Sequence, residues 1–284
     1  MDLLDVAVGP LTFDALAAGP EGGQAVLLLH GFPQTSRSWT DQLEALGAAG
    51  YRAVAFDQRG YSPRARPTDV AAYRTAELVG DVLAVADALG MNRFHLVGHD
   101  WGGAIAWQVG GRHADRLHTL TVVSTPHPAA MAMALAGQIG GDQAERSSYM
   151  PVFREPDSQD RFLENDAQIL RMIFLASGMP PGREAPYLEA LGTPEALGAA
   201  LNWYRAADLT LVEGLGDVTS PTMYVWSTED PALGREAAEA TARFVTGPYR
   251  FEVLEGVGHW ISEQEPARLN ALLLDHMGGD RARM

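Results

Sequence analysis

Cysteine is absent from the 284 residues. That excludes disulfides, thiolate metal sites and a cysteine nucleophile. Positive charge is scarce: 21 Lys and Arg stand against 36 Asp and Glu, a formal net charge of −15. A nucleic-acid binder shows a basic patch or stripe, so this balance argues against one. The same field is unfavourable to a strongly anionic substrate, and a neutral or apolar one fits better. No apolar run approaches the roughly 18 residues of a membrane helix. The opening MDLLDVAVGP has no basic stretch followed by an apolar one, so no signal peptide is expected and the expected location is cytoplasmic. What is present is an ordinary globular composition, 46% hydrophobic. The length suits one large α/β domain, or a core with an inserted subdomain.

Short β-rich apolar runs alternate with helical stretches, the pattern of βαβ units and a parallel sheet. Strands are expected at 25–30, 52–57, 94–98, 117–124, 222–227 and 249–254. They read as near-continuous apolar runs, as strands covered on both faces do. The stretch before residue 20 reads as an antiparallel edge hairpin. Helices are expected at 75–89, where Leu78, Val82, Val85 and Leu89 repeat at three- and four-residue steps before Gly90, at 101–113, and at 267–277, closed by Gly278 and Gly279. Between about 126 and 220 the rhythm breaks. That region is rich in Met, Pro and Gly, and its best helical candidates are 162–175 and 193–205. The expected organisation is one α/β core with a helical subdomain inserted into it.

The segment Gly98-His99-Asp100-Trp101-Gly102 sits where a strand turns into a helix. It matches the nucleophile elbow G-x-Nu-x-G with Asp in the Ser position. Glycines on both sides permit a sharp turn that exposes Asp100, and the following helix points its N-terminus there, favouring a negative charge. An Asp before a helix often only caps it. Flanked by glycines after a buried strand, it reads instead as a nucleophile. A carboxylate needs no base to deprotonate it. It can attack an sp³ carbon, displace an oxygen or a halide, and leave an alkyl-enzyme ester.

That ester must be hydrolysed. His259, in Gly256-Val257-Gly258-His259-Trp260, follows the last strand and can activate water as a neutral imidazole. Asp230 follows the preceding strand and can fix the His tautomer, with Glu229 beside it as the competing acid. The order nucleophile, acid, His is the chain order of α/β-hydrolases. His30-Gly31-Phe32-Pro33 follows the first parallel strand. The N–H groups of Phe32 and Trp101 can form an oxyanion hole, and their side chains an apolar substrate wall. His30 reads as structural, holding its loop by a hydrogen bond.

HGFPQTSRSW, GHDWGG and GVGHW resemble the core motifs of soluble epoxide hydrolases and the related haloalkane dehalogenases, across nearly the whole chain. The resemblance implies an α/β-hydrolase fold with a core at 1–127 and 219–284 and an inserted helical cap at 128–218, and two cap tyrosines that protonate the opening epoxide. A phenol with a pKa of roughly 10 is protonated at neutral pH and can donate. Tyr149, in Tyr149-Met150-Pro151-Val152-Phe153-Arg154-Glu155-Pro156, and Tyr204, in Asn202-Trp203-Tyr204-Arg205, match those two segments. Tyr73 and Tyr187 read as packing or surface residues. The implied reaction converts an apolar epoxide to a vicinal diol through an alkyl-Asp ester, with no cofactor and no metal. The implied partners are a small apolar epoxide and water, with no nucleic acid and no membrane; a homo-oligomer is compatible with all of this. The alternatives are a haloalkane dehalogenase with the same nucleophile and a non-catalytic binding protein of the same fold. A dehalogenase needs weak donors around the halide, and Phe32 stands where the second donor often lies. Fluoroacetate dehalogenases carry Arg where this chain has Trp101. Asp57-Gln58-Arg59-Gly60-Tyr61-Ser62-Pro63 departs from the family by lacking a second glycine, which bears on channel shape.

Overall fold

The structure is a computed structural model that describes residues 1–207 and 211–281. Eight strands form one sheet: β1 (Asp2–Val8), β2 (Leu11–Ala18), β3 (Gln24–Leu29), β4 (Tyr51–Phe56), β5 (Phe94–His99), β6 (Leu117–Val123), β7 (Thr222–Ser227) and β8 (Tyr249–Leu254). Their spatial order is β1-β2-β4-β3-β5-β6-β7-β8. The β1–β2 hairpin pairs antiparallel and joins β4 antiparallel. All other pairs are parallel.

The period of two explains why the central runs form strands buried on both sides. In β3, Leu27 and Leu29 enter one core, and Val26 and Leu28 enter the other. In β5, Leu96 and Val97 divide the same way. One face is covered by α2 (Thr75–Ala88) and α3 (Trp101–Arg112). The other is covered by α1 (Thr40–Ala48) and the C-terminal helix.

Between β6 and β7 lie α4 (Pro128–Leu135), α5 (Gln143–Arg146), α6 (Met150–Arg154), α7 (Ser158–Ala176), α8 (Ala185–Ala190) and α9 (Pro194–Ala206). After β7 come α10 (Arg235–Ala240), α11 (Ile261–Gln264) and α12 (Pro266–Arg281). No helix among the described residues is long and apolar enough to cross a membrane.

Two expected helices differ. The run at 162–175 is not one helix: within α7 the backbone leaves the helical region at Glu164 and turns left-handed at Asn165, Asp166 and Ala167. Asn and Asp tolerate that conformation because their short polar side chains bond locally. The last helix does not stop at Gly278 and Gly279 but runs on to Arg281. A helical glycine costs about 1 kcal/mol against alanine, whereas burying a side chain such as Leu or Met stabilises by about 1.5–3 kcal/mol. Leu269, Leu273 and Met277 are fully buried, and their packing outweighs the two glycines.

Candidate active site

The site lies at the carboxyl ends of the parallel strands, where α/β sheets place their ligands. Asp100 links β5 to α3 with φ 51° and ψ −121°, a conformation an L-residue rarely adopts. It stands at the helix start but makes no side-chain capping bond. Its Oδ1 accepts from the Phe32 N–H at 2.8 Å, and the Trp101 N–H bonds the same carboxylate. The elbow is close-packed: a Cβ on Gly31 would lie 2.3 Å from the Asp100 carboxylate, and one on Gly102 would lie 2.4 Å from the Leu29 carbonyl. Burial raises the Asp100 carboxyl above its ordinary range, opposed by His259 and by the two amides.

His259 is buried, with Nδ1 2.7 Å from Asp230 Oδ2 and Nε2 3.7 Å from Asp100 Oδ2. Asp230 is fixed by the N–H groups of Ala232 and Leu233 on Oδ1, at 2.8 and 3.1 Å. Its carboxylate therefore holds the Nδ1–H tautomer and turns the Nε2 lone pair toward Asp100. Burial pulls His259 down, but the charge and hydrogen bond of Asp230, with Asp100 behind, more than offset it and leave the imidazole raised. Glu229 is exposed, and the acid bonded to His259 is Asp230.

A cavity of about 440 Å³ opens over Asp100. Its walls include Trp101, Pro128, Met131, Leu135, Met150 and Leu211, and both Tyr149 and Tyr204 line it. The Tyr204 hydroxyl is bonded to that of Tyr149 and receives the Trp101 indole N–H. The Tyr204 ring meets Trp101 edge-on at 5.1 Å and Phe32 edge-on at 5.3 Å. Burial pushes both phenols well above 10, so each holds its proton throughout the neutral range. The neighbouring Trp203 anchors α9 to the core: its Nε1 donates to the Arg59 carbonyl at 2.7 Å.

The structure thus brings Asp100, Trp101, Tyr149 and Tyr204 to one cavity, with His259 and the Phe32 N–H on the Asp100 carboxylate and Asp230 behind His259, while the Phe32 ring, expected in the substrate wall, is buried against Phe153 and Tyr204. His30 lies apart, accepting from the Gln58 N–H at 3.1 Å on Nε2, with Nδ1 3.0 Å from the Gly31 carbonyl. Where the expected second glycine is missing, Ser62 Oγ donates to the Asp57 carbonyl and accepts from the Asp14 N–H.

Comparison with known proteins agrees with this arrangement. A family model described as alpha/beta hydrolase fold matches residues 24–266. The chain belongs to the α/β-hydrolase family. It is 34% identical to the AB hydrolase superfamily protein YfhM of Bacillus subtilis, over 94% of both chains. It is 32% identical to Epoxide hydrolase A of Mycobacterium tuberculosis, over 92% of both. A solved structure from a set of epoxide hydrolases from hot-environment metagenomes superposes with a TM-score of 0.85 at 30% identity, covering 98% of each chain. Within the α/β-hydrolases the chain therefore sits in the group that contains the epoxide hydrolases.

Four buried residues that the sequence does not mark as part of the site, Tyr187 among them as a packing or surface residue, line up behind His259. Tyr187 on α8 donates to Glu263 Oε1 at 2.6 Å. Gln34 lies between Glu263 Oε2, at 2.5 Å, and His99 Nδ1, at 3.1 Å. His99 Nε2 donates to the His259 carbonyl at 2.9 Å. Gln34 and His99 belong to the quoted motifs. Glu263, a lone acid among others after the histidine, carries no mark in the sequence.

Proposed function

We propose that this enzyme hydrolyses an apolar epoxide to a vicinal diol through an ester on Asp100. The observation that carries the reading is the meeting of a half-buried carboxylate and two protonated phenols in the wall of one largely apolar cavity. Asp100 attacks a ring carbon from the floor. Tyr149 and Tyr204 hydrogen-bond the ring oxygen and deliver a proton as the C–O bond breaks. The helical segment 128–218 serves as the cap that carries this acid pair.

Esterification then changes the electrostatics. Asp100 loses its charge, so one of the causes that raise His259 disappears. The imidazole becomes a better-populated neutral base at the moment water must be activated. Water adds to the ester carbonyl as His259 takes one of its protons, and the oxyanion rests on the N–H groups of Phe32 and Trp101; on collapse the imidazolium protonates the departing alkoxide, the Asp100 acid returns the second proton to the tyrosinate left by the first step, and the diol leaves. Asp230 stabilises the imidazolium. The chemistry draws on these side chains and main-chain amides and calls on no cofactor and no metal.

A haloalkane substrate fits less well, because Phe32 has no side-chain donor and the Trp101 indole N–H is engaged by Tyr204. The deciding experiment is the intact mass of His259→Gln after exposure to epoxides and to haloalkanes. Gain of a whole epoxide mass, mapped to Asp100, is the expected result. Gain of an alkyl mass from a haloalkane alone would replace this reading with dehalogenation.

A further inference from the structure

The chain of buried groups behind His259 has a hydrogen-bond arithmetic that constrains its protons. The His259 carbonyl can only accept, so His99 Nε2 must carry hydrogen. A fully buried imidazole is driven to its neutral form, here well below its ordinary pKa, so Nδ1 is then an acceptor. As placed, Gln34 turns its NH₂ to Glu263 Oε2 at 2.5 Å and its carbonyl to His99 Nδ1 at 3.1 Å; a neutral His99 requires the amide the other way round, which keeps the same outline. With the amide exchanged, the Gln34 carbonyl takes the position 2.5 Å from Glu263 Oε2 that the NH₂ holds as placed, and two oxygens at that separation require a proton between them. Tyr187 supplies the remaining bond, to Oε1. The only other arrangement that satisfies every contact leaves Glu263 ionised and His99 protonated. Both hold one proton. Removing it sets lone pair against lone pair somewhere along the line, and the His259 carbonyl lies at one end.

We infer that Glu263 is a positioning residue for the ester-hydrolysis step, sharing one proton with Gln34 and His99 and so holding the main chain of His259 in place. The inference rests on His259 acting as the hydrolytic base. Geometry is its ground: Glu263 and His99 are buried, and the line joins α8, α11, the loop after β3 and the residue before Asp100. The groups that face the two ends are few. Around Glu263 stand Tyr187, Arg183 and Asp41, the last two paired at 2.8 Å, with Arg37 near Tyr187. Around His99 stand His259 and His30. Burial pushes the Glu263 carboxyl up to about 7, so loss of the proton falls in the neutral-to-alkaline range.

Glu263→Gln reproduces the protonated acid: its NH₂ can donate to Gln34 and its carbonyl can accept from Tyr187. Glu263→Ala removes both bonds. In single-turnover measurements at pH 6.5, Glu263→Ala should slow ester hydrolysis by about tenfold or more, roughly the rate equivalent of one lost hydrogen bond, and leave ester formation less affected. Glu263→Gln should restore most of that loss. It should also abolish the fall in hydrolysis rate that wild type shows as pH rises through about 7. An independent readout is the infrared carbonyl stretch of a protonated carboxylic acid, present in wild type at pH 6 and missing in Glu263→Gln. Gln as damaging as Ala, or hydrolysis unaffected by either variant, would overturn the inference. Absence of a Glu263-dependent acid band in wild type would leave only the His99-protonated arrangement, and an unchanged pH profile in Glu263→Gln would then exclude that too. A wild type that turns over no epoxide, with the band present, would instead sink the functional reading and leave the shared proton standing.

Discussion

The amide of Phe32 and the carboxylate of Asp100, 68 residues apart in the chain, meet at 2.8 Å. The group proposed to attack therefore already occupies the place where the oxyanion of its own ester would later rest. One donor site serves the resting carboxylate and the tetrahedral intermediate alike, so little reorganisation separates them.

That arrangement is held by a strained residue. A non-glycine backbone outside its favoured regions costs of order 1–3 kcal/mol. Asp100→Gly should abolish turnover while raising stability by about that amount. Thermal or urea unfolding beside an activity assay checks both halves. A destabilised variant would show that the carboxylate's bonds to Phe32 and Trp101 outweigh the strain.

The two phenols are not equivalent. Tyr204 is fully buried and bonded to both Trp101 and Tyr149, whereas Tyr149 is partly exposed. Tyr204→Phe should slow alkylation of Asp100 by about 10²-fold, Tyr149→Phe by less, and the double variant by more than either, within the range of general-acid effects. Hydrolysis of a preformed ester should change little. Single-turnover quench of tryptophan fluorescence separates the steps, and equal slowing of both would remove Tyr204 from the acid role.

On the proposed mechanism the acid limb of hydrolysis is set by His259. Its imidazole is raised, so the neutral base is lost, as pH falls, at a higher pH than for a free imidazole near 6.5. Asp230→Asn removes the main cause of that rise. The limb should move to lower pH, while the plateau drops by about 10²-fold or more because Nδ1–H is no longer held. A pH–rate profile in which the limb stays in place would assign it elsewhere.

Stability has its own pH dependence. His127 is buried against Phe244, accepts the Ala129 N–H on Nδ1, and burial lowers it to about 4. Its folded pKa lies below its unfolded one, so the stability it contributes is fully present above about 6.5 and lost as pH falls toward 4. His259 has the opposite sign: its contribution is complete below about 6.5 and is lost as pH rises through its raised value. His127→Asn keeps an acceptor at the start of α4 but cannot titrate. Its melting temperature should be lower at pH 7 and should fall less steeply between pH 6.5 and 4. A slope equal to that of wild type would place the acid sensitivity in other groups.

Much of this was legible before any coordinates. β3, β5 and β7 are buried on both faces, so their sequences are continuous apolar runs that stand out. Asp100 and His259 were visible because close packing at the elbow and a tight loop both demand glycine. The left-handed break in α7 was also written in the chain, as Asn165-Asp166, but the apolar spacing of Phe162, Leu170 and Phe174 masked it. The line Tyr187–Glu263–Gln34–His99 was not legible. Its members come from four separate elements, and only folding makes a buried acid of Glu263.

Trp203 and Tyr204 are consecutive residues with opposed duties: one pins α9 to the Arg59 carbonyl, the other presents the proposed acid to the cavity. A lid that swung clear by lifting α9 would carry the proton donor away with it. Bulkier substrates must then be admitted by a different wall. Met131, Leu135 and Leu211 line the same cavity from outside α9, and for engineering a wider substrate range they are the positions to vary first.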